Sequence, residues 1–207
     1  MGAIGAIVLA GGRSARFGRD KLLEPIDGRT LLERAIEAVR SVASEVVVVT
    51  SPGVERAVPE GIIVVEDPHA FEGPLVGLVA GLESLDESID RVIVVGGDMP
   101  SLVPGVLALL IAALGDDVDV AVLETDRGRA VIPSGLRRGP QVVRARDLVA
   151  GGERRLGALL DGSRVAVVAR GDWTAVDPDG RTLRDVDRPS DLEPSSDVAR
   201  GGIRGDP

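Results

Sequence analysis

Four stretches of the chain carry residue types that could do chemistry. The first runs Ile7-Val-Leu-Ala-Gly-Gly-Arg-Ser-Ala-Arg-Phe-Gly-Arg-Asp-Lys21 and holds Gly11, Gly12 and Gly18, the cations Arg13, Arg16 and Arg19, and then Lys21. Glycines let backbone N–H groups approach an anion closely and cations neutralise it, so this composition is that of a phosphate-holding loop. Lys21 is a compact charge suited to a polyphosphate whose negative charge grows in a transition state. Arg16 is expected to neutralise phosphate charge, and Arg13 and Arg19 to face solvent. The spacing is not the Gly-x4-Gly-Lys-Ser/Thr of P-loop proteins, nor the Gly-x-Gly-x-x-Gly of dinucleotide folds. The plain alternative is an arginine-rich surface loop with a solvated lysine.

The other three stretches supply carboxylates. Asp98 stands in Gly96-Gly-Asp-Met-Pro100, where it could hold Mg²⁺ with substrate phosphates completing the octahedron, or serve as a turn or N-cap aspartate. Asp67, in Val65-Glu-Asp-Pro68, could accept hydrogen bonds from guanine N1–H and its exocyclic amine; an aspartate before proline is also an ordinary turn residue. Asp187, in Asp185-Val-Asp-Arg-Pro-Ser-Asp191, is the candidate second metal carboxylate, with Asp185 as a weaker contender and the start of a terminal helix as the structural alternative. Thr50 and Ser51 end a strand that could line a base pocket. His69 is the only histidine and has no partner motif, so a Ser–His–Asp arrangement has no support and a surface position is expected.

The apolar run Ala6–Ala10 reads as a buried strand leading into the glycine loop. Leu22 to Arg29 is turn-rich, and Thr30-Leu-Leu-Glu33 is a capping box opening a helix whose inner face is Leu31, Leu32, Ala35, Ile36 and Val39. Strands follow at Glu45–Thr50 and Ile62–Val65, neither alternating apolar with polar residues, as in sheets covered by helices on both faces. Pro74 suits the first turn of the next helix, where Gly73, Gly77, Ala80 and Gly81 permit close backbone approach. Arg91–Val95 is a strand, Pro104–Leu114 a helix and Val118–Leu123 a strand. Further on, the pattern predicts a short strand at Arg129–Ile132, helices at Val142–Ala150 and Glu153–Asp161, a strand at Arg164–Ala169 and a last short strand at Thr182–Asp187. Alternating strands and helices call for βαβ units and a mostly parallel sheet, with ligands at the carboxyl ends of the strands. The glycine loop, Asp67 and Asp98 each fall just after a predicted strand, and so converge on one sheet edge.

Composition narrows the function classes. Aromatic residues are 1% of 207, against base-stacking platforms for single-stranded nucleic acid, and a net charge of −9 opposes binding to a polyanion. The cations of the first loop therefore form a local site on an acidic protein. No cysteine is present, which excludes thiolate nucleophiles, thiolate zinc sites and disulfides. No stretch approaches about 18 apolar residues and no basic region precedes the first apolar run, so a soluble cytoplasmic protein without membrane association is expected. A core of Val, Leu, Ile and Ala within one domain over residues 1–192 is expected, followed by a disordered tail at 193–207.

Leu9-Ala-Gly-Gly-x-Ser-x-Arg-Phe-Gly-x-Asp-Lys21 resembles the nucleotidyltransferase signature of the molybdenum cofactor guanylyltransferase family, with Phe17 in place of its usual methionine. The resemblance implies an α/β fold, a three-layer Rossmann-like sandwich of the nucleotide-diphospho-sugar transferase type. It implies transfer of GMP from GTP to the phosphate of molybdopterin with release of pyrophosphate. Catalytic roles then fall to Lys21, Arg16 and Asp98, nucleotide contacts to Leu9, Ala10, Gly11, Gly12, Lys21, Thr50, Asp67 and Asp98, and Mg²⁺ to Asp98 and Asp187. Thr125 to Pro140 should help hold the acceptor. Expected partners are GTP, the molybdopterin acceptor, and molybdoenzymes or other cofactor-biosynthesis proteins. Two alternatives stand beside this reading: a related nucleotidyltransferase with a cytidylyl or sugar-phosphate acceptor, and a non-catalytic GTP-binding module that delivers cofactor.

Overall fold

The computed structural model describes residues 2–12, 17–68 and 72–192. Strand β1 (Ile4–Ala10) is apolar because helices cover the sheet on both sides of it. A two-stranded hairpin, β2 (Pro25–Ile26) and β3 (Arg29–Thr30), then leads into helix α1 (Leu31–Arg40). The Thr30 hydroxyl accepts from the Glu33 amide at 3.2 Å and the Glu33 carboxylate accepts from the Thr30 amide at 2.7 Å, closing the capping box. Such a cap contributes about 1 kcal/mol. The five apolar residues of the predicted inner face are all buried. Each of the larger ones stabilises the fold by about 1.5–3 kcal/mol.

Strands β4 (Glu45–Thr50) and β5 (Ile63–Glu66), helix α2 (Pro74–Ser84), strand β6 (Arg91–Gly96) and helix α3 (Pro104–Ala112) complete the first half. The second half comprises β7 (Val120–Thr125), β8 (Gly128–Arg137), α4 (Arg138–Ala150), β9 (Val165–Val168) and α5 (Arg170–Thr174). Seven strands form one sheet in the order β5-β4-β1-β6-β8-β7-β9. Every pairing is parallel except the two made by β8. Alternate residues of each strand enter opposite cores. Ala6, Val8, Val46 and Val48 pack with α1 and α3, whereas Ile7, Val47, Val92 and Val94 pack with α2 and α4. The architecture is a three-layer α/β sandwich around a mostly parallel sheet.

Several local expectations are corrected. Strand β5 is the sheet edge and is not covered on both faces: Ile63 and Val64 are exposed. Strand β8 runs well past Ile132 because Pro133 falls at an irregularity, where the register with β7 shifts between Val122 and Leu123 and a ladder N–H can be spared. Glu153–Asp161 holds only a short 3₁₀ turn at Leu156–Leu159, since the Glu153 carboxylate takes the Arg154 and Arg155 amides. The predicted strand at Thr182–Asp187 is a 3₁₀ turn at Arg181–Leu183 followed by an extended strap. The buried Asp177 carboxylate accepts the amides of Arg181 and Thr182 there, so these groups do not join a ladder. Among the described residues no helix is long and apolar enough to cross a membrane.

Candidate active site

The carboxyl ends of β1, β4 and β5 and the start of α2 enclose a cavity of about 330 Å³, lined by Leu9, Gly11, Gly12, Ser51, Asp67 and Gly77 among others. The alternation of side chains along a strand decides which candidates reach it. Leu9, Val49 and Ser51 point to the α2 face. Ala10 and Thr50 point to the other: Ala10 packs in the core shared with α1 and α3, and Thr50 is buried with its hydroxyl donating to the Val65 carbonyl at 3.4 Å. Ser51 is therefore the wall residue, and its hydroxyl accepts from the Gly12 amide at 3.3 Å. Asp67 enters from the end of β5, where its amide donates to the Thr50 carbonyl at 2.8 Å. Opposite it, Gly77 leaves the space open. A Cβ there would lie 3.4 Å from Asp67 Oδ2 and 3.3 Å from Val49 Cγ1. The volume suits a planar heterocycle with a sugar, and the Asp67 carboxylate suits paired N–H donors.

The second cluster is built on Lys21. Its Nζ donates to Asp98 Oδ2 at 2.8 Å, to the Val186 carbonyl at 2.8 Å and to Asp187 Oδ1 at 3.1 Å. Burial works against the ammonium charge, but the hydrogen bonds and charge of Asp98, then of Asp187, outweigh it. The Lys21 pKa is accordingly raised above the ordinary lysine value. Three oxygens of hard, anionic or carbonyl type thus meet at one positive centre, a donor set that Mg²⁺ also accepts. Among the described residues no group of three or more His, Cys, Asp or Glu side chains is arranged to hold a metal. A divalent ion here would take the two aspartates and draw its other ligands from phosphate oxygens and water.

Elements distant in sequence hold this cluster. The Val186 amide donates to the Asp98 carbonyl at 2.9 Å, and the Val186 side chain is buried with Phe17 and Leu31. The Asp191 carboxylate accepts from the Asp187 and Arg188 amides at 2.9 and 2.8 Å, fixing the strap on which Asp187 sits. Asp185 is exposed, and Asp187 is the aspartate that meets Lys21. The cavity and the cluster share the end of β1. The Leu9 side chain lines the cavity while its carbonyl accepts from the Gly97 amide at 2.9 Å, one residue before Asp98.

Arg13, Arg16 and His69 lie outside the described residues. Arg19 is turned to Glu24, with Nη2 2.8 Å from Oε2. In the stretch expected to help hold an acceptor, Arg137 pairs with Asp90 at 3.2 Å, and the next residue, Arg138, donates to the Leu82 and Leu85 carbonyls at 3.0 Å, capping the end of α2. Sequence reasoning missed the Val186 carbonyl and Asp191, for which no residue pattern gives a signal. It also passed over one that was present: Lys21 is the only lysine in a chain whose other side-chain cations apart from His69 are all arginine.

A mostly parallel sheet with a cavity and a lysine between two carboxylates at its carboxyl edge is a setting that suits a phosphate-bearing ligand. The MobA-like NTP transferase domain family matches residues 6–167, and the chain belongs to that family. It is similar to the molybdenum cofactor guanylyltransferase of Desulfosudis oleivorans, 29% identical over 203 residues and 98% of each chain. It is also similar to the probable molybdenum cofactor guanylyltransferase of Chloroflexus aggregans, 31% identical over 194 residues and 90% of each chain. Among solved structures, molybdopterin-guanine dinucleotide biosynthesis protein A of Archaeoglobus fulgidus shares the fold. Its TM-score is 0.74 at 19% identity, covering 91% of this chain and 94% of that one.

Proposed function

We propose that the enzyme transfers GMP from GTP to the terminal phosphate of molybdopterin, forming the guanine dinucleotide cofactor and releasing pyrophosphate. The observation that carries this reading is Lys21 held between Asp98 and Asp187 beside a cavity that contains Asp67. In the reaction an oxygen of the acceptor phosphate forms a bond to the α-phosphorus of GTP. The bond from that phosphorus to the α–β bridging oxygen breaks, and its electron pair leaves with pyrophosphate. Asp67 accepts the guanine N1–H and exocyclic amine, which selects the base. Gly11 and Gly12 let backbone amides approach the phosphates, and Lys21 follows the charge as it develops, with Arg16 assigned to the departing pyrophosphate. Asp98 and Asp187 are the residues that would hold Mg²⁺, and such an ion would supply positive charge to neutralise phosphate oxygens. No covalent enzyme intermediate is required.

The test is pyrophosphate release with Mg²⁺ and each of GTP, CTP, ATP and UTP, without an acceptor, with Mo-molybdopterin, and with a sugar phosphate in its place. Release with GTP only when Mo-molybdopterin is present is the expected result. Release with CTP would overturn the assignment of Asp67 to guanine, and release with GTP and a sugar phosphate would overturn the acceptor.

A further inference from the structure

Arg56 belongs to the segment between β4 and β5, and the proposed reaction assigns it no role. Its side chain is only 5% exposed. Nη1 donates to Asp20 Oδ2 at 2.6 Å, and Nη2 donates to the Ala10 carbonyl at 3.1 Å and to Asp20 Oδ1 at 3.4 Å. Asp20 Oδ1 also accepts from the Leu22 amide at 3.1 Å, capping the 3₁₀ turn Lys21–Leu23. One guanidinium therefore joins the last residue of β1 to the residue immediately before Lys21.

The position has a cost. The Arg56 Nε is buried with no hydrogen-bond partner among the described residues. A buried donor left unmatched needs a reason. The forked geometry supplies one, because two nitrogens of one rigid plane reach a carboxylate and a carbonyl at once, which a lysine ammonium on a flexible stem does not do. Lys21 itself has a long side chain with many rotamers, so the direction in which its ammonium points depends on a fixed backbone. Asp20 fixes that backbone, and Arg56 fixes Asp20.

We propose that Arg56 is a positioning residue for nucleotidyl transfer, clamping Ala10 and Asp20 together so that Lys21 stays aimed at Asp98 and Asp187. It acts through Asp20 and touches no reacting atom. The proposal rests on Lys21 being the phosphate-binding cation of the proposed reaction.

The test uses the full chain with Arg56→Met, Arg56→Lys and Asp20→Asn, and two readouts. One is the split between kcat and KM in pyrophosphate release. The other is the rate at which an amine acylating reagent modifies Lys21, followed by peptide mass spectrometry; it needs no turnover. For Arg56→Met, kcat is expected to fall about 10- to 100-fold, the scale of a small misplacement of a catalytic group. KM for the nucleotide is expected to stay within about threefold. Lys21 acylation is expected to quicken about tenfold as the clamp opens. Arg56→Lys is expected to recover thermal stability without recovering kcat. Native kcat in Arg56→Met, a rise in KM alone, or a fall in kcat with native acylation would each overturn the proposal. So would full recovery of kcat by Arg56→Lys, which would make charge alone sufficient. If Arg56→Met does not fold, Asp20→Asn decides by the same two readouts, since it keeps the Leu22 cap and removes the charge. If the native enzyme turns over no nucleotide, the proposed reaction fails. Acylation then still decides the clamp, and an unchanged rate in Asp20→Asn overturns it.

Discussion

The two halves of the sheet end at the same edge and finish their strands differently. On the side of β5, β4, β1 and β6, strands run out into glycines and aspartates whose backbone and side-chain groups line a cavity or meet at Lys21. On the side of β7 and β9 the strand ends are closed by the protein's own groups. The Glu124 carboxylate accepts from the Arg170 amide at 2.9 Å, its carbonyl accepts from Trp173 Nε1 at 2.9 Å, and Arg170 pairs with Asp126. The same topology therefore gives an edge that opens on a cavity in one half and an edge closed by the protein's own groups in the other. Strand direction brings groups to the edge, but the loop leaving each strand decides whether they face a ligand or one another.

The largest expected effect falls on the half that opens on the cavity. Asp98→Asn removes a charge from the cluster while keeping its shape, and turnover is expected to fall about a thousandfold, on the order of losing a transition-state charge contact. Thermal stability should shift little. Pyrophosphate release and a thermal melt check both, and unchanged turnover would remove Asp98 from the metal assignment. Lys21→Ala comes next, with a loss of about a hundredfold or more. Arg146→Ala is its control, an exposed cation on α4 of the second half that pairs with Glu83 of α2, away from Lys21 and the cavity, and it is expected to cost almost nothing. Equal losses in the two variants would erase the contrast between the halves.

The same contrast governs what the sequence made legible. In the first half the signals are local. The capping box, the apolar stripe of α1, Pro74 at the start of α2 and the unbroken valines of β4 each determine the element in which they stand. In the second half they are not. Pro133 looks like a strand terminator and sits within β8 because an irregularity accommodates it. The run Thr182–Asp187 has the composition of a strand, but Asp177 captures two of the amides that begin it. The site divides the same way. Which strand ends carry Gly11, Gly12, Asp67 and Asp98 follows from short-range pattern. That Ser51 and not Thr50 faces the cavity follows from alternation, once α2 is known to lie on that face. The meeting of Lys21 with Asp98 and Asp187, 77 and 166 residues away, follows from tertiary packing alone.

Two glycines one turn apart on α2 sharpen the comparison within the first half. A Cβ on Gly77 would meet Val49 and Asp67 at ordinary or slightly tight distances, so Gly77→Ala should narrow the cavity. KM for the nucleotide is expected to rise about tenfold with kcat within about threefold. A Cβ on Gly81 would lie 2.9 Å from Ile7 Cγ2 and 3.1 Å from Val49 Cγ2. Gly81→Ala should therefore overpack the core and cost about 1–3 kcal/mol, read as a lower denaturation midpoint, with KM unchanged in the folded fraction. The reverse pattern would place Gly77 in the packing and Gly81 at the ligand.

The smallest effect is expected far from the site, at Asp119. Its carboxylate accepts Arg164 Nη2 at 2.7 Å, Arg164 Nε at 3.0 Å and the Arg164 amide at 3.0 Å, pinning the start of edge strand β9 beside β7. The hydrogen bond from Arg164 leads the shift, outweighing partial desolvation, and lowers the Asp119 pKa from 3.8 to about 2. A depressed carboxyl pKa stabilises the fold fully above the ordinary value, and that stabilisation is lost as pH falls through 3.8 towards 2. Solvent screens the pair, so Asp119→Asn should cost about 1 kcal/mol at neutral pH, and the difference from the native chain should shrink on acidification. Denaturant midpoints for both proteins at neutral pH and near pH 3 measure it. Pyrophosphate release should not change, because the edge of the second half braces the sheet and supplies no group to Lys21 or to the cavity. A loss of kcat in Asp119→Asn beyond its loss of folded protein would mean that the two halves are coupled through the sheet, and the division of labour between them would not hold.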